Sequence, residues 1–159
     1  MSTWPAARLD PVARLRVLAE GVDTAVLVER DMSVPFDRLW SYVADLERSV
    51  PEFDETVTRL KVRGRAPRAD GGEQLVALAT TLHAVALPFD VRLESGFCWM
   101  VQRQRLYVVG MAASPLDDTH VRYAHLEGVP RRGAGITRRW LRRHVRHDVE
   151  GIARALGAA

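Results

Sequence analysis

The sequence predicts an α+β domain in which a curved antiparallel sheet of about seven strands wraps around a long C-terminal helix. Three observations carry this prediction. Between Thr56 and Glu127 the apolar residues take up a strand-like alternation, in short pieces separated by turns. From about Ile136 to Leu156 the period becomes helical, and Leu141, Val145, Val149, Ile152 and Leu156 fall on one stripe at about 100° per residue. One strand-like run and two short helical stretches come before the meander. The stripe of the last helix has to be buried, and the inner face of the sheet is the one large apolar surface available to it.

The elements follow in order. In DPVARLRVLAEG (10–21), Asp10 is placed to cap a helix, Pro11 suits the first turn and Gly21 the stop. Val12, Leu15, Leu18 and Ala19 form the apolar stripe of this extra N-terminal helix, which must cover the outer sheet face, the cavity mouth or a second subunit. TAVLVERD (24–31) is β-branched and aliphatic, and is expected to be a strand. VPFDRLWSYVADLERSVPEF (34–53) has Pro35 at a first-turn position, then Phe36, Leu39, Trp40 and Val43 at helical spacing. A second short helix is expected around Leu46 to Val50, ending at Pro51. TVTRLKVRG (56–64) alternates Val57, Arg59, Lys61 and Arg63 against Thr58, Leu60 and Val62, and the breaker-rich APRADGG (66–72) is expected to turn. EQLVALATTL, LPFDVRLES, FCWMVQRQ, LYVVGMAAS and HVRYAHLE follow as strands joined by short turns such as Ser95-Gly96.

Bulk properties narrow the function classes. A chain of 159 residues suits one domain with a single core. Cys98 is the only cysteine, which excludes an intrachain disulfide and multi-cysteine zinc patterns and fits a cytoplasmic protein. The N-terminal residues have no signal-peptide layout, and the longest nearly apolar stretch, LVALATTLHAVALPF, is too short to span a bilayer. Charge is uneven. Residues 1–130 hold fourteen Arg, one Lys and eighteen acidic residues, a net of −3, whereas residues 131–159 hold eight Arg and two acidic residues, a net of +6.

The element order, together with VPFDRLWSYVADLERSVPEF, resembles the START-like superfamily (SRPBCC). That superfamily includes the Bet v 1-like helix-grip proteins and the bacterial polyketide cyclase/dehydrase and lipid-transport families. The matching features are a proline entering a helix, Trp40 within it, Asp45 after it and the turn at Val50-Pro51. The Gly71-Gly72 turn, and Asp117-Asp118-Thr119 leading into the last strand, agree with it. The resemblance covers roughly residues 24–157, so residues 1–23 are expected to be an extension and 24–159 a START-like ligand-binding domain. It implies a deep, mostly apolar cavity between the sheet and the last helix that holds a hydrophobic small molecule.

Strand facing gives the expected lining. In LPFDVRLES, Leu87, Phe89, Val91 and Leu93 share one face, with Asp90, Arg92 and Glu94 on the other. Aromatase/cyclase members place hydroxyl and cationic side chains near such a face; here it is aliphatic and aromatic, which favours a passive binder. HVRYAHLE puts Val121, Tyr123 and His125 inward, making Tyr123 and His125 the candidate polar grip and the weak candidates for catalysis. The alternative is a Tyr and His bonded to each other or to the backbone. A two-residue Ser95-Gly96 hairpin turns Cys98, Met100 and Gln102 inward and Phe97, Trp99 and Arg103 outward. Trp40, Leu141 and Val145 complete the expected lining from the helices. Cys98 is expected to be structural.

Other chemistries are disfavoured. His144, His147 and Asp148 stand at spacings that could converge on a cation, but Arg142, Arg143 and Arg146 surround them in sequence, so no metal is expected. The Gly133-Ala134-Gly135 turn lacks a third fingerprint glycine, Arg138 standing there, so no nucleotide fold and no cofactor is expected. A weaker idea is an anionic head group near Arg131, Arg132 and Arg138 at the helix start.

Three functions are therefore carried forward. The first is intracellular binding or carriage of a lipid, isoprenoid or polyketide-like molecule, without catalysis. The second is a polyketide aromatase/cyclase or dehydratase. The third is an interaction module using the Arg-rich helix on RNA, the ribosome or anionic lipid; nucleic acid is the disfavoured partner here, and peripheral membrane contact stays open. Trp140 lies on the polar side of the last helix beside Arg139 and Arg143, and its exposure would mark an interaction surface. Neither the ligand nor the oligomeric state is named by the sequence.

Overall fold

The computed structural model describes residues 9–129 and 138–158. Its elements run α1 (Pro11–Glu20), β1 (Val26–Met32), α2 (Phe36–Ala44), α3 (Leu46–Phe53), β2 (Val57–Pro67), β3 (Glu73–Thr81), β4 (Ala86–Glu94), β5 (Phe97–Gln102), β6 (Val108–Pro115), β7 (Val121–Gly128) and α4 (Arg138–Leu156). The seven strands form one antiparallel curved sheet in the order β1-β7-β6-β5-β4-β3-β2, so the first strand closes against the last. The expected order and fold class are those observed.

Local chemistry explains the two ends of the meander. Gly96 has φ +75°, and a Cβ there would meet the Ala113 carbonyl oxygen at 2.8 Å, so glycine is required by both backbone and space. The resulting two-residue turn sends Cys98, Met100 and Gln102 inward and keeps Phe97 on the other face. On β2, register shifts between Val57 and Arg59 and between Val62 and Gly64 interrupt the alternation. Val57 and Leu60 thus both reach the inner face, although strict alternation would have separated them.

Two boundaries differ from expectation. α3 continues through Pro51 to Phe53. Proline withholds one N–H, but Val50 and Phe53 are buried on either side of it, and the Asp54 N–H donates to the Val50 carbonyl at 2.9 Å. β2 extends to Pro67, so the turn is confined to residues 68–72. The Gly133-Ala134-Gly135 segment, Arg131, Arg132 and the helix start at Ile136 lie outside the described residues.

Two large apolar cores flank the sheet, and Leu141 and Val145 of α4 form a smaller cluster with Val26 of β1. The inner one joins α2, α3 and the C-terminal part of α4 to β2–β7. The outer one is built by α1, whose Val12 and Leu15 bury against Phe97, Val108, Ala112, Ala124 and Leu126. This answers the question posed by the N-terminal stripe: it covers the outer sheet face. Asp10 caps α1 through the N–H groups of Val12 and Ala13 and accepts from the Ser114 hydroxyl, while Arg14 lies 3.8 Å over the Phe97 ring and pairs with Glu94. No helix among the described residues is long and apolar enough to cross a membrane.

Candidate functional site

A cavity of about 620 Å³ opens between the inner face of β2–β6, the end of α3 and the start of α4. Its walls are mainly apolar: Val50 and Phe53 from α3, Val57 and Leu60 from β2, Ala79 from β3, Leu87 and Phe89 from β4, Met100 from β5, and Val109 and Met111 from β6. Leu82, Leu106 and Trp140 contribute to the lining and are also exposed. Leu82 and Leu106 sit in turns that contain non-glycine residues with left-handed backbone, Ala84 at φ 56° and Arg105 at φ 55°.

The polar lining is confined to Asp54, Thr56, Thr81, His83, Tyr107 and Glu127. Behind it stands a buried network. The Tyr107 hydroxyl donates to Glu127 Oε2, the other Glu127 oxygen lies 3.3 Å from His125 Nε2, and His125 Nδ1 is 3.0 Å from the Tyr123 hydroxyl. His144 Nε2 stands 3.6 Å from each of Asp54 Oδ1, Glu127 Oε2 and Asp148 Oδ2. Both carboxyl oxygens of Asp148, and Nδ1 of His144, are buried without a hydrogen-bond partner.

These surroundings split the acids. Burial works to raise Glu127, but the hydrogen bond and field of His125, with those of His144 and Tyr107, outweigh it and hold the carboxyl below its ordinary range. Burial pushes Asp148 up to about 10, reinforced by the negative charges of Glu127 and Asp54. The Tyr107 phenol is likewise raised, first by burial and then by Glu127. The same surroundings thus push the two neighbouring acids in opposite directions.

Of the residues expected to line the cavity, the structure places some on its wall and others behind it. Leu87, Phe89 and Met100 line the cavity, but Trp40, Val91, Leu93, Val121, Leu141 and Val145 do not. Those six pack inside the cores, with Trp40 stacked on Phe36, because facing inward in a filled core is not the same as bordering the void. Tyr123 and His125 are fully buried and bonded to each other, behind the wall instead of on it. The polar groups that reach the cavity are instead Asp54, Thr56, Thr81, His83, Tyr107 and Glu127. Glu127 was legible as the next member of the Val121, Tyr123, His125 alternation; Asp54 had no such signal.

The arginines that flank His144 and Asp148 in sequence do not enclose them in space. Arg142 and Arg143 are exposed, whereas His144 and Asp148 turn inward beside Leu141 and Val145. His147 is separated from them and stands 3.9 Å from Glu55 on the outside. Trp140 is 43% exposed, yet it stacks on His144 at 4.8 Å between ring centres and borders the cavity. It stands at the rim of the cavity.

No protein-family model matches the chain, and no curated protein matches it. Solved structures share its architecture. The di-domain ARO/CYC StfQ from the steffimycin biosynthetic pathway aligns with a TM-score of 0.56 at 17% identity, over 91% of this chain and 53% of that one. The Zhui aromatase/cyclase from Streptomyces sp. R1128 aligns with a TM-score of 0.53 at 14% identity, over 83% and 90%. A START superfamily protein from Mycobacterium smegmatis gives a TM-score of 0.53 at 14% identity, over 83% and 93%. The fold is therefore START-like.

Proposed function

We propose that this chain of START-like fold binds a hydrophobic small molecule, of the lipid, isoprenoid or polyketide-like class, between its sheet and its last helix. The observation that carries the reading is the cavity itself, about 620 Å³ with apolar walls and polar groups limited to a few side chains. At about 30 Å³ per water in the liquid, that volume equals about twenty waters, and an organic ligand of about twenty non-hydrogen atoms would fill it. Glu127 on the wall offers its carboxyl oxygens to a ligand whose polar end donates a hydrogen bond, such as a hydroxyl. Leu82, Leu106 and Trp140 give the mouth an apolar fringe over which such a molecule would enter.

The test is extraction of the purified native protein followed by mass spectrometry. The expected result is one equivalent of a reproducible apolar molecule bearing a donor group. Protein that carries nothing, and binds no member of a lipid, isoprenoid and polyketide panel, would sink the reading.

A catalytic reading, polyketide cyclisation or dehydration, draws support from one feature: the Tyr107–Glu127 pair stands on the cavity wall with the two groups in hydrogen-bond contact. The structural neighbours named as aromatase/cyclases make a poly-β-ketone the substrate to try. In this reading Glu127→Gln abolishes turnover while ligand binding persists, and His125→Ala acts only by releasing Glu127.

A further inference from the structure

We propose that Asp54, Glu127, His144 and Asp148 form a divalent transition-metal site at the polar end of the cavity. Their nearest donor atoms all lie within 4.8 Å of one another. They come from separate parts of the fold: the residue that ends α3, the last turn of β7's alternation, and two positions one turn apart on α4. The set is closed by tertiary structure, not by a local acidic run.

The spacing fits an ion better than it fits hydrogen bonds. His144 Nε2 is 3.6 Å from one oxygen of each carboxyl group, beyond useful hydrogen-bond length. Donors at about 2.0–2.2 Å from a tetrahedral ion stand about 3.3–3.6 Å apart. The wider pairs need a contraction of about 1 Å, within reach of carboxylate rotation.

A second observation is independent of the clustering. Asp148 is fully buried, both of its oxygens lack a hydrogen-bond partner, and Oδ2 is aimed at the centre of the group. A buried carboxyl group whose oxygens make no hydrogen bond is costly, and an ion at the centre of the group would displace its proton and supply the missing partner. Among the described residues, no Arg or Lys forms an ion pair with Asp54, Glu127 or Asp148. Glu127, meanwhile, is oriented by Tyr107 and His125, as outer groups orient the ligands of metal sites.

One imidazole with three carboxylates is a mixed donor set that suits Zn²⁺, Fe²⁺ or Mn²⁺. Because Asp54 and Glu127 also border the cavity, an ion here would face the space a ligand occupies. It would polarise an oxygen placed there.

The test uses the full-length protein after chelator treatment, titrated calorimetrically with Zn²⁺ and with Mn²⁺ and no organic ligand. The expected result is one saturable site for at least one ion, with Asp148→Asn and Glu127→Gln each weakening it about 100-fold. Glu55→Gln, on the outer surface, leaves it unchanged. Should either variant fail to fold, the imidazole ¹⁵N resonances of the unmodified protein decide: one equivalent of Zn²⁺ shifts His144 and leaves His83 and His120 in place. Absence of a saturable site, binding that survives both variants, or an unmoved His144 resonance would overturn the proposal. Since no organic ligand is present, its failure leaves the cavity reading standing, and an empty extraction leaves the metal site standing.

Discussion

Replacing Ala79 by Phe tests whether the space inside the sheet is real and is used. Ala79 is 4% exposed and lies on the cavity wall. Its new ring would need about the 150 Å³ that accommodates a benzene, close to a quarter of the 620 Å³ present. A ligand of about twenty non-hydrogen atoms would then lose room for about five of them. At about 0.3 kcal/mol per atom, that is about 1.5 kcal/mol, or tenfold in affinity. Stability should hold or rise, because the ring gains apolar contacts without displacing a neighbour. The assay pairs displacement of an environment-sensitive apolar dye with thermal unfolding of the same sample. In a filled core the same change would instead overpack and cost about 1–3 kcal/mol, and each kcal/mol lowers the Tm of a chain of this size by about 2–4 °C. A fall in Tm with unchanged dye affinity would refute the reasoning.

Other consequences follow from the outer face, the thiol and one turn. Leu15→Ala, at a fully buried position of α1, should cost about 2–5 kcal/mol in denaturant unfolding and leave dye affinity unchanged, since α1 packs on the face opposite the cavity. Gly110→Val should release α1 as well, because a Cβ there meets Leu15 Cδ1 at 2.5 Å and the Trp99 ring at 3.0 Å; loss of helix signal without loss of protection in α1 would count against this packing. Cys98 should resist iodoacetamide at pH 8 until the protein unfolds, because burial pushes its thiol up to about 12; labelling at the rate of a free thiol would contradict that. Asp117 is lowered to about 2 by the N–H of Thr119 and by His120. Its support of the turn is therefore fully present above the ordinary 3.8 and is lost as pH falls through about 2, which amide exchange at Thr119 and His120 should report.

Periodicity made the architecture legible and the void inside it illegible. Leu87, Phe89, Val91 and Leu93 alternate, and Leu141, Val145, Val149 and Ile152 recur at helical spacing, because burial on one side of a sheet or helix imposes those periods. Periodicity reports side, however, and not depth. Val91 and Leu93 share a face with Leu87 and Phe89 but sit among packed neighbours, while Leu87 and Phe89 border open space. The bulges of β2 had no sequence signal and decide that Val57 and Leu60 meet the same cavity.

The polar cluster was obscured for a different reason. His144 and Asp148 lie three and seven residues after Leu141, on its own stripe, yet the flanking arginines set them aside as partners for an ion. A helical position is set by its angle before its chemistry, so a polar residue on an apolar stripe is the signal to follow. Asp54 joins them only through the packing of α3 against α4, a contact between segments ninety residues apart that no local pattern encodes.

The most direct test of a ligand held inside the sheet is the set of nuclear Overhauser contacts between the extracted molecule and methyl-labelled methionines. Met32, Met100 and Met111 are all buried, but only Met100 and Met111 border the cavity. Contacts from the ligand to the Met100 and Met111 methyls, with none to Met32, are the expected result. Contacts to Met32, with silence from Met100 and Met111, would contradict it.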